Sequence, residues 1–359
     1  AVKIALTIAG CPLRAYLQRE ISSKLESLNG VTEVDIVTTE MTSEERQATM
    51  AHARRKAQER FASKNIESKT RVLAIASGKG GVGKSTITAH LALALARRSL
   101  DVGILDADIG GFSIPGILGI SESIKVKGGK MLPVKIPVGQ GGSLQVLSMG
   151  FLAEEEGAIM WRGLLLNKAF EQFLEDAEWG ELDYLLIDMP PGTGDVQMGL
   201  ARMLPQALLL VVTTPAEQAS KVAARTGDMA RKELLEVAGV VENLSYFICD
   251  HGEPYELFGQ GGGIRLASKL DVPLLARIPL DSTVQDQSPA LSANASGRTT
   301  TFTGLFDELA NKIIQEIAPP NVDHPRASWE TIHQVDRHRL SRNNQDHQEL
   351  IDESLLGHR

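Results

Sequence analysis

The chain has 359 residues, a formal net charge of -8, and 43% hydrophobic but only 4% aromatic residues. That length carries one large core plus a smaller satellite domain, and the aliphatic bias suits a soluble α/β protein built from Val, Ile, Leu and Ala. The acidic balance argues against a wide nucleic-acid or membrane footprint, no apolar run approaches the roughly 20 residues of a membrane span, and the two cysteines, Cys11 and Cys249, cannot make a disulfide framework, so a cytoplasmic protein is expected.

Taken in order, the first residues alternate in strand fashion, with Val2, Ile4, Leu6 and Ile8 on one face. An amphipathic helix follows, carrying Leu13, Leu17, Ile21, Leu25 and Leu28, stopped by Asn29-Gly30 and succeeded by a strand over 31–38. Thr7, Gly10, Cys11, Pro12 and Leu13 resemble the T-x-x-G-C-P-L signature in the later half of a small domain often fused to iron-sulfur assembly proteins. The resemblance implies a small α+β domain over 1–62, N-terminally incomplete because its first strand and helix would lie upstream of Ala1. Cys11 reads either as its functional residue or as a small half-buried core cysteine. A charged, alanine-rich helix starts at Ser43 without a full capping box, since Arg46 stands where an acid would complete it, and 63–70 form a linker.

Residues 71–86, RVLAIASGKGGVGKST, organise the rest. An apolar run over 72–76 suits a buried parallel strand, and a glycine-rich turn leads into a helix. Gly78, Gly80, Gly81 and Gly83 let the backbone bend tightly and aim N–H groups at phosphate oxygens beside a helix N-terminus, so Val82 and Thr86 belong to the same cradle. Lys84 supplies positive charge for the β/γ-phosphates and the Ser85 hydroxyl is placed to ligate Mg²⁺. The second lysine, Lys79, is redundant for that work. GKGGVGKST resembles the deviant loop of the MinD/ParA/nitrogenase-iron-protein class of ATPases, in which the early lysine reaches across a dimer interface to the partner's nucleotide. Homodimer-dependent hydrolysis is what that resemblance implies.

A helix over 86–98 and a strand over 102–105 come next, delivering Asp106 and Asp108 to the strand end where open α/β sheets bind ligands. One acid there can organise Mg²⁺ through water, Asp106 in this assignment, and the other, Asp108, can polarise the attacking water. A Gly-rich meander spans 127–143, Glu154, Glu155 and Glu156 read as a solvated run, Trp161 as a packing anchor, and 164–173 as helix. The apolar strand 184–187 delivers Asp188 as a Walker B acid must be delivered, on rigid backbone within reach of Mg²⁺, and Pro190, Pro191, Gly192, Thr193 and Gly194 form a loop able to move with the γ-phosphate. A strand over 208–213 and a helix over 217–232 precede Asn243, placed to pair with the adenine edge. Cys249 and His251 follow on a turn; a helix starts within 259–263, a strand spans 272–278 and an amphipathic helix closes the domain over 301–317. Five of the eight histidines fall after Pro319 without the i, i+4 spacing of a helical metal face, so 319–359 read as a polar, flexible tail.

With the strings ASGKGGVGKST, LDADI, FSIP, SMGFL, WRG, WGELDYLLIDMPPGTGD, VTTP, VVENLSYF and FGQGGG in order, the chain resembles the Mrp/ApbC iron-sulfur cluster carrier ATPases to about residue 318. The resemblance implies a P-loop ATPase domain over 71–318 with a mainly parallel sheet flanked by helices. It implies ATP and Mg²⁺ as cofactors, a homodimer, slow hydrolysis, and an iron-sulfur cluster held on Cys249 and passed to apoproteins, with cluster assembly proteins as further partners and no nucleic acid or membrane. Two departures stand out. Gly110 and Phe112 replace the Tyr and Pro of the family's DADIYGPSIP, and its CPHC cluster motif is here Cys249-Asp250-His251-Gly252, without the second thiolate. Two rival readings are a MinD/ParA-like positioning ATPase and an ATP-dependent scaffold whose cluster site has decayed.

Overall fold

The computed structural model describes residues 2–6, 14–27, 34–42, 66–108, 111–122, 124–148, 150–151, 164–192, 195–249, 251–281 and 301–320. Cys11, the helix expected over 43–62, Gly110, Trp161, Thr193, Gly194, Asp250 and the tail from residue 321 lie outside them. Strands β1 (Val2–Leu6) and β2 (Ile36–Glu40) pair in parallel, with α1 (Arg14–Glu26) supplying the crossover that parallel pairing requires.

The rest alternates strand and helix. The phosphate-loop strand β3 (Arg71–Ser77) feeds α2 (Lys84–Ala96), then β4 (Asp101–Asp106) and the short α3 (Ile114–Leu118). Next come β5 (Lys125–Lys127), β6 (Lys130–Leu132), β7 (Val134–Val138) and β8 (Gly142–Ser148), followed by α4 (Leu164–Glu175), β9 (Tyr184–Asp188) and α5 (Asp195–Met203). The last part holds β10 (Leu208–Thr213), α6 (Glu217–Lys232), β11 (Glu236–Glu242), a tiny hairpin of β12 (Phe247–Ile248) and β13 (Pro254–Tyr255), α7 (Gly262–Leu270), β14 (Leu274–Arg277) and α8 (Thr301–Lys312). The main sheet has eight strands in the order β14-β11-β10-β3-β9-β4-β8-β7, and only the edge pair β7–β8 is antiparallel. This is an α/β P-loop NTPase fold.

Both faces of the sheet are covered, which is why its central strands are continuous apolar runs rather than alternating ones. Along β3, Val72, Ala74 and Ala76 join a core with Phe170 and Phe173 of α4 and Leu200 of α5. Leu73 and Ile75 face the other way, into a core with Leu91 of α2 and Phe306 of α8. Fully burying side chains of this size stabilises the fold by about 1.5–3 kcal/mol each. No described helix is long and apolar enough to cross a membrane.

Several expected boundaries are corrected. The stretch expected as a meander holds two hairpins: Gly128 and Gly129, with φ of 60° and 80°, make the two-residue turn of β5–β6, because both central positions of such a turn lie in the left-handed region. Strand β8 had no counterpart in the sequence reading because Ser143 and Gln145 interrupt its apolar run, yet both are buried. The Ser143 hydroxyl is satisfied by donating to Asp101 Oδ1 at 2.6 Å. Helix α5 was likewise unassigned. The closing helix is α-helical only to Lys312 and continues as a π-helical turn over Ile313–Ile317. The helix expected from within 259–263 starts at Gly262, and the strand expected over 272–278 is confined to β14.

Candidate functional site

The C-terminal edge of the sheet brings the predicted residues together. In the parallel register Asp106, the last residue of β4, stands opposite both Asp188 of β9 and Ser148 of β8, while Asp188 also pairs with Ile75 of β3. Two adjacent strands, β4 and β9, thus carry their acids to one level, beside the loop that leaves β3.

The loop is closed by Ser77, whose hydroxyl donates to the Lys79 carbonyl at 3.0 Å. Gly83 is the N-cap of α2, with φ 81° and no side-chain capping bond, so the first N–H groups of the helix are left for an anion. Glycine is required there twice over: the backbone is left-handed, and a Cβ would lie 2.1 Å from the Asn243 amide nitrogen. Lys79, Gly80, Gly81, Ser85 and Thr86 line a cavity of about 490 Å³ together with Asp108 and Pro191. Lys79 is exposed at this cavity and forms no ion pair among the described residues, while Gly78 packs against the backbone of Ala223 in α6.

Lys84 behaves differently. It is 6% exposed, with Nζ 2.8 Å from Asp188 Oδ2 and 3.8 Å from Asp108 Oδ2. Asp188 is fully buried and also accepts hydrogen bonds from Ser85 Oγ at 2.5 Å and Thr88 Oγ1 at 2.8 Å. A buried carboxylate needs such partners, because an unpaired charge in the interior costs several kcal/mol. Thr88 was missed from sequence, although its place one helical turn after Lys84 and Ser85 puts it on their face. The donor set of hydroxyl and carboxylate oxygens suits a hard cation such as Mg²⁺, and the loop geometry suits a phosphate chain.

Asp106 is the most perturbed acid. Burial, and secondarily the negative charge of Asp188, push its pKa up to about 7, against hydrogen bonds from Ser148 Oγ at 2.9 Å and the Asp108 N–H at 3.3 Å. Ser148, on the unpredicted strand β8, also accepts the Gly150 N–H at 3.1 Å. Asp108 is raised as well, by burial first, with Lys84 opposing and Asp188 adding to the shift. Phe112, one of the two departures, lies so close to Gly150 that a Cβ there would meet its ring at 2.3 Å.

The Asp106 shift has a measurable sign. Its unfolded pKa is near 3.8 and its folded pKa about 7, so between those values the folded state holds the extra proton and stability falls as pH rises. At about 1.4 kcal/mol per unit over a shift of roughly three units, the penalty by pH 8 is on the order of 4 kcal/mol. Nucleotide-free Asp106→Asn, neutral at every pH, is therefore expected to melt several degrees above wild type at pH 8, with the gap closing toward pH 5. A gap of the same size at both pH values in thermal melts would overturn this.

Asn243 directly follows β11, which ends one residue earlier at Glu242, and its Nδ2 donates to the Val82 carbonyl at 2.8 Å, tying the loop to the sheet. Cys249 and His251 occupy the turn between β12 and β13, with Sγ 4.0 Å from Nδ1. Gly252 has φ 83°, and a Cβ there would meet nothing within 4 Å, so the position missing its thiol is roomy but left-handed. No group of three or more His, Cys, Asp or Glu able to hold a metal ion exists among the described residues.

Comparison with known proteins follows the same lines. Residues 68–314 match the ParA family of NUBPL iron-transfer P-loop NTPases. An iron-sulfur cluster carrier protein of Bacillus subtilis is 43% identical over 314 residues, 87% of this chain and 86% of the relative. Another, of Mycobacterium leprae, is 41% identical over 326 residues, 88% of this chain and 82% of the relative. The solved structure of a nucleotide-binding protein from Archaeoglobus fulgidus in complex with ADP is 34% identical with a TM-score of 0.53, covering 71% of this chain and 92% of that one.

Proposed function

The chain belongs to the iron-sulfur cluster carrier family, the NUBPL type of iron-transfer P-loop NTPase, and from that premise we propose that it is an ATP-dependent carrier that holds a cluster on Cys249 and delivers it to apoproteins. The observation that carries the nucleotide half of this reading is the convergence of Lys84, Ser85 and Thr88 on the buried Asp188 beneath an uncapped helix N-terminus.

In this reading the N–H groups of 80–86 and Lys84 bind the phosphate chain, and Lys84 exchanges its bond to Asp188 for one to phosphate oxygens. Ser85, Asp188 and Asp106 would hold Mg²⁺, which when bound neutralises charge on the phosphates. Asp108, half-buried and facing the cavity, accepts a proton from the attacking water as its raised affinity for protons favours. Asn243 holds the loop and borders the adenine, and Lys79 serves the nucleotide of a second subunit, so turnover is slow and requires a homodimer. Cluster assembly proteins and recipient apoproteins are the partners. We assign 1–62 to an iron-sulfur assembly-like domain, 63–70 to a linker, 71–318 to the ATPase and carrier domain and 319–359 to a tail.

Titration with a fluorescent ATP analogue tests the site. Lys84→Ala removes a charge-assisted contact worth about 1.5–3 kcal/mol, so its affinity should fall roughly 10- to 100-fold. Full affinity in that variant would sink the assignment.

A further inference from the structure

Strand β11 ends in Glu242, and Asn243 follows it; the two side chains face opposite sides of the sheet, as the period of a strand demands. Asn243 reaches the phosphate loop. Glu242 faces the other way, toward α7 and the hairpin that carries Cys249. Its carboxylate is 1% exposed and takes donors from three places. Oε2 accepts the Gly263 N–H in the first turn of α7 at 2.6 Å, and Oε1 accepts Ser245 Oγ–H at 2.5 Å and Arg277 Nε–H at 3.2 Å. Glycine at 263 is what permits this approach, because a Cβ there would lie 2.6 Å from the Cβ of Glu242.

Arg277, at the end of β14, extends the network outward. Its Nε also donates to Ser245 Oγ at 2.9 Å, its guanidinium carbon lies 5.8 Å from the centre of the Tyr246 ring, and Nη2 is 3.7 Å from Glu256 Oε1. Glu256 directly follows β13, the return strand of the Cys249 hairpin. The backbone is laced in parallel: Ile278 N–H donates to Glu242 O at 2.8 Å, Ser245 N–H to Ile278 O at 2.9 Å and Leu280 N–H to Tyr246 O at 2.7 Å. The phosphate loop and the cysteine hairpin are therefore joined through one strand end.

We propose that Glu242 and Arg277 are positioning residues that relay nucleotide occupancy of the phosphate loop to the Cys249 hairpin, so that the accessibility of the cysteine depends on whether the loop is filled. The physical reason is the buried carboxylate. It cannot part from its donors without leaving a charge unsolvated in the interior, so a shift of the strand end carries the α7 N-terminus and Arg277 with it. Phosphates drawn onto the loop's N–H groups act on Val82 and Gly83, which touch Asn243, the neighbour of Glu242. This relay rests on the reading that the loop binds nucleotide but does not require a cluster on Cys249.

The test measures the alkylation rate of Cys249 by iodoacetamide in the full chain, with and without Mg-ADP, using peptide mapping to separate it from Cys11. Binding of a fluorescent ADP analogue is followed in the same samples. Wild type should show a rate changed several-fold by ADP. Arg277→Met should show a ratio near one while analogue affinity stays within about twofold. Glu256→Gln, at a partly exposed position where folding is not at stake, should cut the ratio at least by half, and Arg277→Lys should restore part of it. Analogue binding with a wild-type ratio of one, or an unchanged ratio in both Arg277→Met and Glu256→Gln, overturns the relay alone. Absence of analogue binding by wild type overturns the nucleotide reading and the relay with it.

Discussion

Lys79→Ala should lower ATP turnover by about a thousandfold or more, the scale on which a cation supplied in trans acts on phosphoryl transfer, while leaving nucleotide affinity nearly unchanged. In the proposed reading the two lysines of the loop divide the work. Lys84 is 6% exposed and anchored 2.8 Å from Asp188, where it would serve the nucleotide of its own subunit. Lys79 stands exposed at the mouth of the same cavity with no ion-pair partner among the described residues, so its charge is available to a second copy. Specific activity should therefore rise with protein concentration until dimers saturate. A concentration-independent activity in a demonstrably monomeric sample, or wild-type turnover in Lys79→Ala, would rule the arrangement out. This result bears on the switch and not on the cargo.

The second large effect concerns the cargo: after anaerobic reconstitution with iron and sulfide, Cys249→Ser should hold no cluster. Each subunit offers one thiolate and one imidazole 4.0 Å apart, so a pair of subunits meeting at this hairpin supplies two thiolates where the CPHC pattern would supply four. Thiolates are the usual ligands and histidine replaces them in some clusters, so wild type should load with reduced yield. Gly252→Cys should raise occupancy, since a side chain at 252 has open space, but the φ of 83° makes it cost about 1–2 kcal/mol in the hairpin. Visible absorbance and iron content read all three proteins. Should Cys249→Ser retain as much cluster as wild type, the carrier role of this hairpin fails and Cys11 becomes the residue to test. A wild type that loads no iron at all supports the scaffold whose site has decayed.

The parts of the site that were legible are those made of neighbours in the chain. A strand of five apolar residues, a glycine-rich turn and a Lys-Ser pair opening a helix lie within sixteen positions, and the Asp188 strand has the same local completeness. The boundary moved even here, α2 starting at Lys84 rather than at the expected residue 86. By contrast, β8 was illegible. Its Ser143 and Gln145 look like surface positions until β4 and β7 are placed on either side of it. Ser148 could not be connected to Asp106 without that strand.

What this sequence determined by itself was therefore the loop, the Walker B strand and the α/β alternation around them, because periodicity and turn chemistry act over a few residues. Tertiary structure alone decided which groups satisfy the buried charges. Thr88 and Ser85 reach Asp188 across about a hundred positions of chain, Ser148 reaches Asp106 across 42, and Arg277 reaches Glu242 across 35. Nothing in a single Glu, Ser or Thr marks it as such a partner. The requirement arises only when parallel strands bring their ends to one level and exclude water, so that each buried carboxylate must find its donors among whatever the fold has placed beside it.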